Sequence, residues 1–351
     1  MKKIPYRKKL WLDRKSRQGS QRRKTFIKLP KTRSFGNIYW APKILCVYGP
    51  NGHELVNFIE KVKSQVIEKK KTATLNCSKI AHIYPPGAIL LYAELNRIVE
   101  QSGLPKPLKI IPPQSDKCKQ VFKQLEFLKL SQDDATNIDL NRDDVIYWRC
   151  TTGSDQSGDG PGNFLERVAG HANEIAKREV LIENIWPGVS EAINNTTEHA
   201  YPTPSLPTSS KKWWLLTSVR KNRFAAAVCD LGVGYRETTP QTIPERFVNS
   251  FKAKFSEGIN KDALAIHLAM EYGRSRTGQK NRGKGSRDAQ AVISKHGEGE
   301  LVIISHAGSV RYEYKINKNT PKPEVTALST NINATIIWWS LPLTDEGNES
   351  D

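Results

Sequence analysis

From residue 41 onward, short apolar runs alternate with amphipathic stretches, and that alternation limits the chain to α/β architectures. KILCVYG reads as a strand ending at Gly49, ELVNFIEKVKSQVIEKK as an amphipathic helix and TATLNC as a second strand. After IAHIYPPG comes AILLYAELNRIVEQSG, a helix closed by Gly103 where a C-terminal cap belongs. LKIIPP adds a third strand and KCKQVFKQLEFLKL a third helix. This β-α-β-α-β-α order over residues 41–145 predicts a small α/β domain, with a sheet on one side and helices against it.

A break follows. SQDDATNIDLNRDD is polar and acidic, VIYWRC reads as a strand, and TTGSDQSGDGPG (151–162) has turn chemistry throughout. The boundary is expected near 140–150, with a second domain over 146–345 and an acidic end at 346–351.

Charge is placed as unevenly as hydropathy. The 351 residues carry a net +18, yet residues 1–34 alone hold 14 Lys or Arg against one Asp, a local +13 that leaves +5 for the rest. A block of this kind repels itself and buries too little apolar surface to fold, so residues 1–40 are expected to be a disordered basic arm. An arm that neutralises nucleic-acid phosphates, with Tyr6 and Trp11 free to stack on bases, is one reading. A solubilising tail or a targeting peptide accounts for the same residues.

No apolar run approaches the roughly 20 residues of a membrane helix, so membrane insertion is not expected. The N-terminus lacks the apolar core of a secretory signal, which points to the cytoplasm. The five cysteines (46, 77, 118, 150, 229) are then expected as reduced thiols. They form no CxxC pair, and Cys229 sits within an apolar run as a small core residue would.

Chemistry concentrates in three places. In SEAINNTTEHAYP, Glu191 and Asn195 lie four residues apart and so project from one helix face. The helix leading to them is expected to break at Trp186-Pro187-Gly188 and resume. Mg²⁺ keeps several waters and shares its substrate's phosphates, so one amide oxygen from Asn195 is a sufficient protein anchor. Glu191 can then orient or deprotonate a water or hydroxyl. The same pair also fits an ordinary solvated helix face. RFAAAVCDLGVGY reads as a buried strand ending at Asp230, followed by Gly232 and Gly234. An acid at a strand end beside glycines suits acceptance of an adenine amino group, though a plain turn has the same composition. In QKNRGKGSRDAQAVISKHG, the backbone at Gly283 and Gly285, the start of the following helix, and the charges of Arg282 and Lys284 make an anion site suited to phosphate. Arg274 and Arg276 either reach phosphates or face water. ELVIISHAG with SVRYEYKIN reads as a hairpin, and ATIIWWSLPL as a last strand.

These blocks, ExxxN, then DxGxG, then a late GxG, resemble the motifs of the GHKL ATPase superfamily in kind and order, most of all those of its anti-sigma-factor serine kinase branch. The resemblance implies a Bergerat fold, an α/β sandwich of a mixed sheet against helices, with ATP between helix and sheet and a mobile lid over 235–282. By position it implies Asn195 as the magnesium ligand, Glu191 as base, and Asp230, Gly232 and Gly234 around adenine. Arg282, Gly283, Lys284 and Gly285 would hold phosphates, and Thr335 would lie near adenine, with Ala334 in place of the usual preceding glycine. The first domain resembles STAS modules, but Tyr84-Pro85-Pro86-Gly87 stands where those carry a phosphorylated serine. The function implied is a cytoplasmic Mg-ATP-dependent regulator with slow hydrolysis, its lid controlling partner binding. A serine/threonine kinase acting on a partner protein, and a non-enzymatic nucleic-acid adaptor, are the alternatives. Expected partners are ATP, an unidentified protein, a second copy of the chain, and nucleic acid through residues 1–34.

Overall fold

The computed structural model describes residues 38–131, 138–142, 144–145, 148–154, 160–176, 182–202, 211–220, 223–252, 260–275, 285–315 and 322–343. Residues 1–37 of the basic arm, the acidic end, Arg276, Arg282, Gly283 and Lys284 lie outside them, as does the side chain of Arg274. The architecture is mixed α/β, as the alternating pattern predicts.

The first part of the chain forms β1 (Ile38–Trp40), β2 (Ile44–Leu45), α1 (Gly49–Lys63), β3 (Ala73–Asn76), β4 (His82–Ile83), α2 (Pro85–Ser102), β5 (Leu108–Ile111) and α3 (Asp116–Gln124). Strands β1, β3 and β5 make a parallel sheet in that order, and β2 pairs with β4, also in parallel. Tyr39, Leu75, Leu108 and Ile110 turn one face of the three-stranded sheet toward the helices and share a core with Leu55, Ile59 and Ile89. Helix α2 opens on Pro85 and Pro86, where a missing N–H costs no helical bond, and Gly103 closes it at φ +66°.

Three local readings change. Ile38–Trp40, expected within the disordered arm, is strand β1, held by its parallel pairing with β3. KILCVYG yields only the two-residue β2, and Gly49 starts α1 instead of ending a strand, because Pro50 already fixes a helical φ in the first turn. KCKQVFKQLEFLKL does not remain one helix, since Glu126 turns to φ +59° after α3 and residues 127–131 form a tighter 3₁₀ turn. That bend stacks Phe127 on Phe122 at 4.5 Å and sets it edge-on to Tyr92 at 5.4 Å. Aromatic burial here outweighs the last bonds of a continuing helix.

The second part contributes β6 (Arg149–Gly153), α4 (Gly160–Ala176), α5 (Ile182–Asn195), β7 (Trp213–Arg220), β8 (Arg223–Asp230), α6 (Tyr235–Thr242), α7 (Glu245–Lys252), α8 (Lys261–Ser275), α9 (Gly285–His296), β9 (Gly299–Ser305), β10 (Gly308–Tyr314), β11 (Glu324–Ala327) and β12 (Thr335–Pro342). They build a seven-stranded sheet in the order β11-β10-β9-β12-β8-β7-β6. The sheet is not mixed, as expected, but antiparallel at every pairing. The reason is β12. The crossover through α6–α9 returns β9 in the same direction as β8, and β12 inserts antiparallel between them. The expected hairpin is β9–β10, with Gly308 paired to Ser305. The strand read in VIYWRC begins only at Arg149 and runs on through Gly153 along β7.

Residues Gly36–Asp351 form one compact unit, and both faces of the large sheet are buried within it. On one face Leu215, Ala226, Val228, Ile303 and Trp339 pack with Val189 and Ile193 of α5 and Val292 of α9. On the other, Trp214, Leu216, Ala227, Val302 and Ile336 join the core of the first part. Helix α2 lies across this second face, where its Asn96 Oδ1 accepts the Trp214 indole N–H at 3.3 Å and its Glu100 pairs with Lys212. A strand covered on both sides has no polar face, which is why FAAAVC and TIIWW read as unbroken apolar runs. No helix among the described residues is long and apolar enough to cross a membrane.

Candidate functional site

Helix α5 runs through Trp186-Pro187-Gly188 without the expected break. Gly188 instead serves close packing, since a Cβ there would stand 2.5 Å from Val292 Cγ2 and 3.2 Å from the Asp288 carbonyl oxygen of α9. The two helices therefore meet nearly backbone to backbone. Trp339 fixes α9 to the sheet by donating its indole N–H to the Ala289 carbonyl at 2.8 Å. Gly188→Ala should lower stability by about 1–3 kcal/mol through overpacking, read from denaturant midpoints, and should move α9 away from Glu191.

Past Gly188, α5 delivers Glu191 and Asn195, both partly exposed and hydrogen-bonded to each other. Burial raises the Glu191 pKa above the usual carboxylate value, and the charges of Asp288 in the first turn of α9 and of Glu198 raise it further, against the Asn195 bond. The first turn of α9, which Gly285 opens, thus faces Glu191. His199 stays exposed, 3.7 Å from Glu198.

The helix then widens into a π-type turn, Thr196–Ala200. Buried Thr196 sets its hydroxyl 3.1 Å from the Ala192 carbonyl and 3.5 Å from Asp230 Oδ2, tying the end of α5 to the end of β8. Asp230 Oδ1 accepts the Gly232 N–H at 2.9 Å. Register places Asp230 beside Thr335 of β12 and Thr335 beside Ser305 of β9. The Ser305 and Thr335 hydroxyls are 3.2 Å apart, and Ser305 Oγ also accepts the Tyr235 N–H at 3.1 Å. Three adjacent strands so present Asp230, Thr335 and Ser305 in one row.

The glycines between are required by their neighbours. A side chain on Gly232 would run into Ala200, whose carbonyl accepts the Val233 N–H at 2.9 Å. Gly234, at φ +76°, lies against His306 and Ser305. Asp230 is only 7% exposed, and burial pushes its carboxyl up to about 7, opposed by the Gly232 N–H and the Thr196 hydroxyl. One amide donor and one long hydroxyl contact are few for a buried carboxylate, which leaves acceptor capacity for an amino group of a ligand.

Two tyrosines join the site that the sequence reading did not single out. The Tyr201 hydroxyl donates to the Lys212 carbonyl at 2.7 Å and accepts the Leu231 N–H at 3.1 Å, pinning the turn after Asp230 to the start of β7. Tyr235 is held above its normal pKa first by burial, then by the nearby charges of Asp230 and Glu191, so both acids lie within electrostatic reach of one phenol. Tyr201 ends the quoted EHAY and Tyr235 follows the second glycine, but nothing in their spacing announces a hydrogen-bonding role.

Of the residues read from sequence, Glu191, Asn195, Asp230, Gly232, Gly234 and Thr335 thus stand on elements that meet, and Gly285 opens the helix facing Glu191. Among the described residues, no group of three or more His, Cys, Asp and Glu side chains is arranged to hold a metal ion. Compared with models of protein families and with curated proteins, the chain matches none.

Proposed function

We propose that this chain is a Mg-ATP-binding regulatory protein, with a GHKL-type ATPase domain of Bergerat fold following a STAS-like module, and that it hydrolyses ATP slowly. The observation carrying this reading is the meeting of three sequence-distant pieces: the end of α5, the Asp230–Thr335–Ser305 row, and the first turn of α9. Asp230, short of donors in its buried position, accepts the adenine amino group, and the glycine turn at 232–234 lets the base approach the backbone. Asn195 offers one amide oxygen to Mg²⁺. When bound, Mg²⁺ neutralises charge on the phosphates. Glu191 orients and deprotonates the attacking water. The backbone N–H groups at the start of α9 bind phosphate oxygens.

Titration calorimetry of the full chain, with Mg²⁺ present, is expected to give a binding isotherm with ATP and a much weaker one with GTP. Guanine carries a carbonyl where adenine carries the amino group, so in the same pose it meets Asp230 with an acceptor instead of a donor. Phosphate release should accompany ATP binding. A flat ATP titration, or an Asp230→Ala chain that binds as tightly as wild type, overturns the assignment.

A further inference from the structure

The outer face of the small parallel sheet takes no part in the nucleotide site, and its composition is unusual. Register sets Ile38, Thr74 and Lys109 in one row across β1, β3 and β5, and Trp40, Asn76 and Ile111 in the next. The opposite face is packed into the core, whereas here Ile38 is 56% and Trp40 55% exposed. The Lys79 ammonium sits 4.6 Å from the centre of the Trp40 ring. The three strands and their flanks, residues 36–43, 69–82 and 104–115, contain seven lysines and no aspartate or glutamate. Ile38 and Trp40 are exposed side by side on one strand face, with the ammonium of Lys79 against the indole, so the face presents a contiguous apolar patch with a cationic rim.

We propose that this face binds single-stranded nucleic acid, with an unpaired base stacked on Trp40 and the phosphate chain running past Lys79 and Lys109. Both halves of the ligand are matched. A base presents a π-face to the indole and the backbone presents regular negative charge to the lysines. Unpaired bases are favoured because duplex bases are already stacked on each other and leave no free face for Trp40. Asn76, beside Trp40 in the row, has its Oδ1 held by the Ser78 N–H and hydroxyl, which leaves its NH₂ to donate to a base edge or sugar. This proposal goes beyond nucleotide binding at Asp230 and does not depend on it.

The test is fluorescence anisotropy of a labelled oligouridylate, and in parallel an oligothymidylate, titrated with the full chain at several salt concentrations. Trp40→Ala should weaken binding about tenfold with the salt slope unchanged, because stacking releases no counterions. Trp40→Phe should recover most of the loss. Lys79→Gln should lower the log–log salt slope by about one. Both positions are at the surface, and melting curves check that each of the three variants folds. If Trp40→Ala binds both oligonucleotides as wild type does, the charge elsewhere on the chain accounts for any binding and the proposal fails. It also fails if poly-glutamate displaces the oligonucleotide at equal charge, which identifies the face as a site for acidic peptide.

Discussion

Asp230→Asn should raise the melting temperature at about pH 8 and raise it much less at about pH 5, while removing ATP binding at both. Burial moves this carboxyl from 3.8 to about 7, a difference equivalent to on the order of 4 kcal/mol. The sign follows from proton counts. Between those two values the folded chain holds a proton that the unfolded chain has released, so stability declines as pH rises from about 4 to about 7 and stays reduced above. Asparagine has no charge to desolvate and escapes the decline. It also fits the existing bonds, since its carbonyl oxygen can accept the Gly232 N–H while its amide donates to the Thr196 hydroxyl, which then donates to the Ala192 carbonyl. A wild-type chain as stable as the variant at high pH would mean that Asp230 is solvated.

The same carboxylate explains why binding is lost as stability is gained. Ionised Asp230 is a pure acceptor, and the amino group of adenine is a pure donor there. Binding stabilises the ionised form, so ATP should bind more tightly above about pH 7 and release protons on binding near that value. Three neighbours that feel the charge of Asp230, namely Tyr201, Cys229 and Tyr235, are raised first by burial and then further by that charge, so they stay neutral and Asp230 is the one group of this set that changes charge near neutrality. Calorimetry in buffers of differing ionisation heat counts those protons directly. Zero proton release at about pH 7 would place adenine elsewhere.

How far the fold was legible depended on whether a segment's neighbours lie close in sequence. The hairpin β9–β10, the strand ending at Asp230 and the Gly103 cap were readable because local pattern determines them. The break expected at Pro187 was wrong because the gain lies in a distant partner: Gly188 buys contact with Asp288 and Val292, some hundred residues on. The antiparallel large sheet was hidden for the same reason, since it depends on where β12 inserts. In the site, motif spacing pointed to Glu191, Asn195 and Asp230, but not to Thr196, Ser305, Tyr201 or Tyr235. Those four act through contacts across the fold, and a hydroxyl in a sequence carries no mark of the carbonyl or amide it will meet.

Glu191→Gln should keep ATP binding and reduce phosphate release by roughly 10²–10⁴-fold, the range for loss of a general base. The amide retains the size of the side chain and its bond to Asn195, so metal and nucleotide contacts survive while the proton acceptor is gone. The pH profile separates this role from a structural one. A base works only when ionised, and burial, then Asp288, then Glu198, all push Glu191 toward its protonated form. The acidic limb of turnover should therefore lie above the ordinary value of 4.5. Asp288→Asn removes the largest charge contribution and should shift that limb to lower pH. The cost in stability should be small, about 0.3–1 kcal/mol for an acid lost from the first turn of a helix. Because Asp288 also faces the end of α9 assigned to phosphate, its neutralisation should tighten ATP binding, so KM falls while the limb moves. At saturating ATP, where the ionisation of Asp230 no longer limits binding, the limb should vanish in Glu191→Gln, and adding Asp288→Asn to it should change KM alone. If the limb keeps its position in Asp288→Asn, Glu191 is not the group that titrates, and the water must be activated by another residue.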